Sequence, residues 1–122
     1  RRLYFLSFFI FISLLSYAQP ANDACPNAIL ISSVVNFCSA NGAGTTVAST
    51  DDVATSGGFG AATCWGGTVN DVWYKFVATA SDVTITINGN QGSPVGGTLN
   101  RPQVALYSGT CATTLNELVC GS

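Results

Sequence analysis

The sequence predicts an all-β protein, an antiparallel β-sandwich stapled by disulfides. Three observations carry this expectation. After residue 18 the chain is rich in Gly, Thr, Ser, Ala, Val and Asn and poor in Leu, Glu, Lys and Arg, so strand formers outweigh helix formers. Turn residues recur at short intervals, in "NGAG" at 41–44, "SGGFG" at 56–60, "WGG" at 65–67, "NGNQGSP" at 88–94 and "SGT" at 108–110. Short strands punctuated in this way are the pattern of a sandwich or barrel. All five cysteines follow a stretch that reads as an export signal, which makes disulfides their expected fate.

The 122 residues suit one domain behind a leader. Arg1 and Arg2 form a basic start, Leu3 to Leu15 an apolar run, and Ser16-Tyr17-Ala18 a cleavage site with small residues at its two key positions. This is the three-part pattern of a secretory signal peptide, residues 1–18. A membrane anchor competes, but a bilayer span needs about 20 apolar residues, and the run from 3 to 15 is shorter. A lipid anchor would need a cysteine directly after the run, and the first is Cys25.

The sandwich domain is then 19–122. The mature part keeps Lys75 and Arg101 against Asp23, Asp51, Asp52, Asp71, Asp82 and Glu117, a net charge of −4. Two cations make no patch for phosphates, which argues against nucleic acid and against an anionic membrane surface as partners. No stable membrane insertion is expected once the leader is cut.

Five strands are expected in order. Ala28 to Ile31 is short and apolar, with a continuation through Val34-Val35. Thr45 to Thr50 is β-branched and polar, as at an edge. Val72 to Ala78 and Val83 to Asn88 alternate, Val104 to Tyr107 is the fifth, and Leu118-Val119 starts a sixth. Strand side chains alternate faces. Val72, Tyr74, Phe76 and Ala78 therefore share an apolar face and are assigned to the core, opposite Asp71, Trp73, Lys75 and Val77. The connector 79–82 is short enough to make 72–78 and 83–88 a hairpin, with Val83, Ile85 and Ile87 packed on the same core.

Trp73 then points away from that core, and Trp65 sits in a Gly-rich loop. Cover by a neighbouring loop is the leading expectation for both. Stacking on a sugar or peptide is the alternative, since loops and outward aromatics carry ligand contacts.

Catalytic patterns are missing. The chain has no histidine, so neither a Ser-His-Asp nor a Cys-His arrangement exists within it. Asp51 and Asp52 are adjacent and point apart on a strand, which suits neither glycosidase spacing. No GxSxG or phosphate loop occurs. Zinc would want CxxC pairs or histidines, and the chain has neither. Calcium is the one cofactor with candidate ligands, Asp51, Asp52, Asn70 and Asp71, although their spacing is not that of a calcium loop.

"ANDAC-PNAI" at 21–29, "GTTVAST" at 44–50, "C-WGG-TVNDVWYKFVATAS" at 64–81 and "VALYSGTC-----NELVC" at 104–120 occur in that order. Together they resemble the β-sandwich modules of large secreted and surface proteins of Bacteroidetes-type bacteria, similar to pre-peptidase C-terminal and CUB-like jelly-roll domains. The resemblance covers nearly all of 21–120. It implies a non-catalytic role at the cell surface: adhesion, binding of a glycan or extracellular protein, or spacing beside a catalytic domain. It also implies export by the type IX route. The chain departs from the pattern by stopping soon after "ELVC", where such modules continue, so the domain reads as incomplete at its C-terminus. The alternative function is the accessory, carbohydrate-binding domain of a secreted hydrolase whose catalytic domain lies elsewhere.

The resemblance suggests a Cys111–Cys120 bridge, and the short hairpin return across "ATTLNELV" agrees with it. Cys25, Cys38 and Cys64 compete for a second bridge, and Cys25–Cys38 is preferred. One thiol is left over.

Overall fold

Pro26 shapes a short 3-10 turn ahead of the first strand. With φ already fixed near helical values, it sits in the first positions of a 3-10 turn, Cys25–Asn27, closed by Ala28 N–H donating to the Cys25 carbonyl at 3.1 Å. In this computed structural model the described residues are 18–40, 42–51, 62–66, 70–90, 99–112 and 114–121. Residues 1–17, most of the expected leader, lie outside them.

Behind the turn, β1 (Ile29–Leu30) runs parallel to β2 (Tyr74–Lys75), with Ile29 opposite Tyr74 and Leu30 opposite Lys75. The ladder is held by Ile29 N–H on the Trp73 carbonyl at 3.1 Å and Ile31 N–H on the Lys75 carbonyl at 2.9 Å. A second sheet pairs β3 (Val104–Gly109) with β4 (Leu115–Gly121) antiparallel. Leu106 faces Val119 and Tyr107 faces Glu117, so Leu118 is an extra residue on β4. That is a β-bulge, which kinks β4 and sharpens its twist. At the hairpin end Gly109 has φ +112°, and a Cβ there would lie 2.1 Å from the Thr114 carbonyl oxygen. Only glycine fits this corner.

Among the described residues there is no α-helix, and none is long and apolar enough to cross a membrane. The β-built, disulfide-linked class expected from composition is present as two small sheets.

Several finer expectations are corrected. Thr45 to Thr50 is no strand: Ala48 has φ +62°, and Ser49 N–H folds back on the Thr46 carbonyl at 3.1 Å. Residues 83–88 join no ladder among the described residues, and Val83, Ile85 and Ile87 are exposed rather than core. Along 71–78 the inward face is not the apolar one throughout. Asp71 is 7 % exposed and Tyr74 43 %. The reason is local pairing: Asn22 and Trp73 exchange main-chain and side-chain bonds, Trp73 N–H to the Asn22 carbonyl at 2.8 Å and Asn22 Nδ2 to the Trp73 carbonyl at 2.9 Å. This lays the segment before Cys25 over the Trp73 side of the strand.

The expected disulfides are also corrected. Cys25 is bonded to Cys111 and Cys64 to Cys120, each with Cα atoms 5.8 Å apart, and Cys38 is free and exposed. Neither Cys111–Cys120 nor Cys25–Cys38 forms. Cys111 sits in the turn beyond Gly109, whereas Cys120 faces Ala105 at the far end of the hairpin. At about 3.3 Å per residue that separates them by roughly 16 Å, well outside disulfide reach.

Among the described residues the buried apolar side chains are Cys25, Ala28 and Ala62, and the buried polar ones Asn22, Asp23, Ser49 and Asp71. The centre is thus held by cross-links and hydrogen bonds more than by large side chains.

Candidate functional site

Two features stand out, an aromatic cluster with acidic neighbours and an open apolar groove. The cluster is built where the two sheets meet. Trp73, just before β2, packs on Tyr107 of β3, with ring centroids 5.9 Å apart and planes tilted by 38°. This is within the range of favourable aromatic pairs. Glu117 lies across the ladder from Tyr107 and accepts hydrogen bonds from the Thr63 N–H, at 2.8 Å, and from the Thr63 hydroxyl. Its carboxylate therefore caps the turn Ala62–Trp65, which Trp65 N–H closes on the Ala62 carbonyl at 2.8 Å. The Cys64–Cys120 bridge ties the same turn to β4, and Cys64 N–H points at Cys120 Sγ at 3.3 Å.

Burial pushes the Tyr107 hydroxyl above its ordinary pKa, and the nearby charges of Glu117 and Asp71 push it the same way. Each favours the neutral phenol. Tyr107 is therefore held as the neutral phenol.

Trp65 and Trp73 are each half-buried, and the Nε1 atoms of both are buried with no acceptor among the described residues. The structure thus brings Trp73 to Tyr107 rather than out to solvent, and tucks Trp65 beside a disulfide. Of the candidate calcium ligands, Asp52 lies outside the described residues and Asn70 is exposed, and no group of three His, Cys, Asp or Glu side chains placed to hold a metal ion occurs among the described residues.

A third set of contacts was not anticipated. Asp23 is 7 % exposed and accepts from the Thr50 N–H at 2.6 Å, the Thr50 hydroxyl at 2.7 Å and the Gln19 side-chain amide. An Asp two residues before a Cys-Pro turn is a signal for local capping, but its long-range partner Thr50 leaves no mark in the sequence.

The groove lies beside the end of β1. It has a volume of about 360 Å³ and is lined by Leu30, Ile31, Val34, Val35, Val77 and Thr79. Leu30, Val35 and Val77 are 60–77 % exposed. Compared with protein-family models, curated proteins and solved structures, the chain matches none.

Proposed function

We propose that this chain is a non-catalytic binding or adhesion module of a secreted bacterial surface protein, built on a disulfide-stabilised β-sandwich of jelly-roll or CUB-like type. The observation that carries the reading is the pair of long-range disulfides, with sequence separations of 86 and 56, in a chain whose described residues include few large buried side chains. Such bridges persist in oxidising, extracellular compartments and are kept reduced in the cytosol. The order of motifs along 21–120 supports the surface role, and the exposed apolar groove supplies a contact face. Export would follow the type IX route.

The aromatic cluster favours one second reading, a carbohydrate-binding accessory domain of a secreted hydrolase. One experiment separates the two. The exported chain is purified and tested by surface plasmon resonance against a glycan panel and against extracellular matrix proteins, with polysaccharide and peptide hydrolysis assayed in parallel. Saturable binding to a matrix protein without turnover supports the adhesion reading. Binding confined to glycans favours the accessory domain. Turnover by the chain itself overturns both, and retention as a reduced cytosolic protein overturns export.

A further inference from the structure

We propose that residues 82–88 pair antiparallel with the same residues of a second copy of this chain, about a two-fold axis at Ile85. The segment alternates Val83, Ile85 and Ile87 with Thr84 and Thr86, and its backbone runs from Asp82 to Gly89 without a turn or bend. No residue in it has a positive φ. Bends at 79–81 precede it, and behind it Asn90 N–H turns onto the Leu99 carbonyl at 2.9 Å. Yet it joins no ladder among the described residues. All its side chains are exposed, with Val83, Ile85 and Ile87 keeping 39–47 % of their surface in water. An unpaired stretch of this kind offers its N–H and C=O groups to another chain.

The order of residues selects a second copy as that chain. Outward from Ile85 in either direction come Thr84 and Thr86, then Val83 and Ile87, then Asp82 and Asn88. Turned end to end about Ile85, the segment therefore meets itself. Ile85 lies opposite Ile85 of the second copy, Thr84 opposite Thr86, Val83 opposite Ile87 and Asp82 opposite Asn88. Cross-strand β-branched and Thr–Thr pairs are stabilising, and like charges directly opposite are destabilising. Asp82 is the only charge in the segment, and this arrangement sets it against an amide. A parallel pairing in register would set it beside its own copy. Sliding the antiparallel register by one residue sets apolar side chains against threonines, and sliding it by two leaves one of the three apolar residues unmatched.

The pairing supplies about six main-chain hydrogen bonds, two for each closely bonded pair. Apolar surface also borders it. An open cavity of about 200 Å³, lined by Val34, Val35, Thr79 and Val83 among others, shares its first three residues with the groove beside β1. The contact is isologous and closes at two copies. A strand pairing of this length falls at the small end of protein interfaces, below about 1,200 Å², so the dimer forms and dissociates with concentration.

The test has two arms, both in a Cys38→Ser background so that the free thiol makes no link of its own. In the first, the purified oxidised chain is followed by analytical ultracentrifugation over a wide concentration range. A monomer–dimer equilibrium is expected, and its loss in Ile85→Lys, which brings two ammonium groups together at the axis. A monomer at every concentration, an open-ended polymer, or an Ile85→Lys chain that dimerises like the parent overturns the proposal.

The second arm reads the register and does not depend on the lysine variant. Ile85→Cys and Val83→Cys are oxidised separately and covalent dimer is followed over time. Across the axis the two residues 85 have Cα atoms about 4.5–5.5 Å apart, within disulfide reach. The two residues 83 are offset by four residues, roughly 13 Å. Ile85→Cys is expected to cross-link severalfold faster than Val83→Cys. Equal rates at the two positions overturn the antiparallel register and the proposal with it, and no link at 85 overturns the pairing itself.

Discussion

Trp73 and Tyr107 join the two sheets: their ring centroids lie 5.9 Å apart, one ring just before β2 and the other on β3. Because few large apolar side chains are buried elsewhere among the described residues, this contact carries an unusual share of the packing. Trp73→Ala is expected to destabilise by about 2–3 kcal/mol, less than a fully buried tryptophan because the ring is half-exposed. A double-mutant cycle with Tyr107→Ala should leave a coupling of about 0.5–1.5 kcal/mol. Urea unfolding of the four proteins measures it, and additive losses would sink the claim.

Tyr107 also gives the fold an alkaline limit. Burial, then Glu117, then Asp71 raise its pKa in the folded state. The neutral phenol is thus favoured by folding. Its contribution is fully present below the unfolded value of about 10 and is lost as pH rises through the higher folded value. Tyr107→Phe should remove this part of the pH dependence. Stability of the two proteins is compared at neutral pH and above the tyrosine range, and the gap between them should shift in favour of the phenylalanine variant as pH rises. Parallel profiles would contradict the assignment.

The disulfide pairing is open to a direct check. Peptide mapping without reduction should recover Cys25 linked to Cys111 and Cys64 linked to Cys120, with Cys38 alone reacting with a thiol reagent. Closing loops this long restricts the unfolded chain, so Cys25→Ser or Cys64→Ser should cost about 4 kcal/mol. Cys38→Ser, at an exposed site, should change stability by less than about 0.5 kcal/mol. A recovered Cys111–Cys120 peptide would restore the local pairing that the hairpin geometry forbids.

These tests also mark what was legible in the residues alone. The strand at 104–107 was legible, because apolar and aromatic residues there are bounded by clear turn signals; residues 118–119 do lie in a strand, but it starts at Leu115 rather than at Leu118. The class, β-built and cross-linked, was legible from composition and cysteine count. The faces of 71–78 were not. Alternation says which side chains share a face, but which face turns inward is decided by Asn22, fifty-one residues away from Trp73. Cysteine pairing was hidden for a similar reason, since contacts at long range leave no spacing signal. The polar clamp of Asp23 on Thr50, 27 residues apart, is a further case.

Backbone conformation supplies the last prediction, and it compares two small residues with opposite needs. Ala48 has φ +62°, a left-handed conformation that brings its Cβ against the backbone, at a cost of about 1–2 kcal/mol. It breaks what composition marks as a strand, and glycine would adopt the same angle without the clash. Ala48→Gly removes that cost but adds freedom to the unfolded chain, so a net gain of up to about 1 kcal/mol is expected. Gly109 has the reverse requirement. Its φ is +112°, and an added Cβ would meet the Thr114 carbonyl oxygen, a backbone atom that cannot swing aside. Gly109→Ala should therefore open the β3–β4 corner and cost about 2–4 kcal/mol. Thermal unfolding of both variants decides the matter: a stabilising Gly109→Ala would mean that the hairpin turns differently, and a destabilising Ala48→Gly would mean that residues 45–50 favour the extended strand after all.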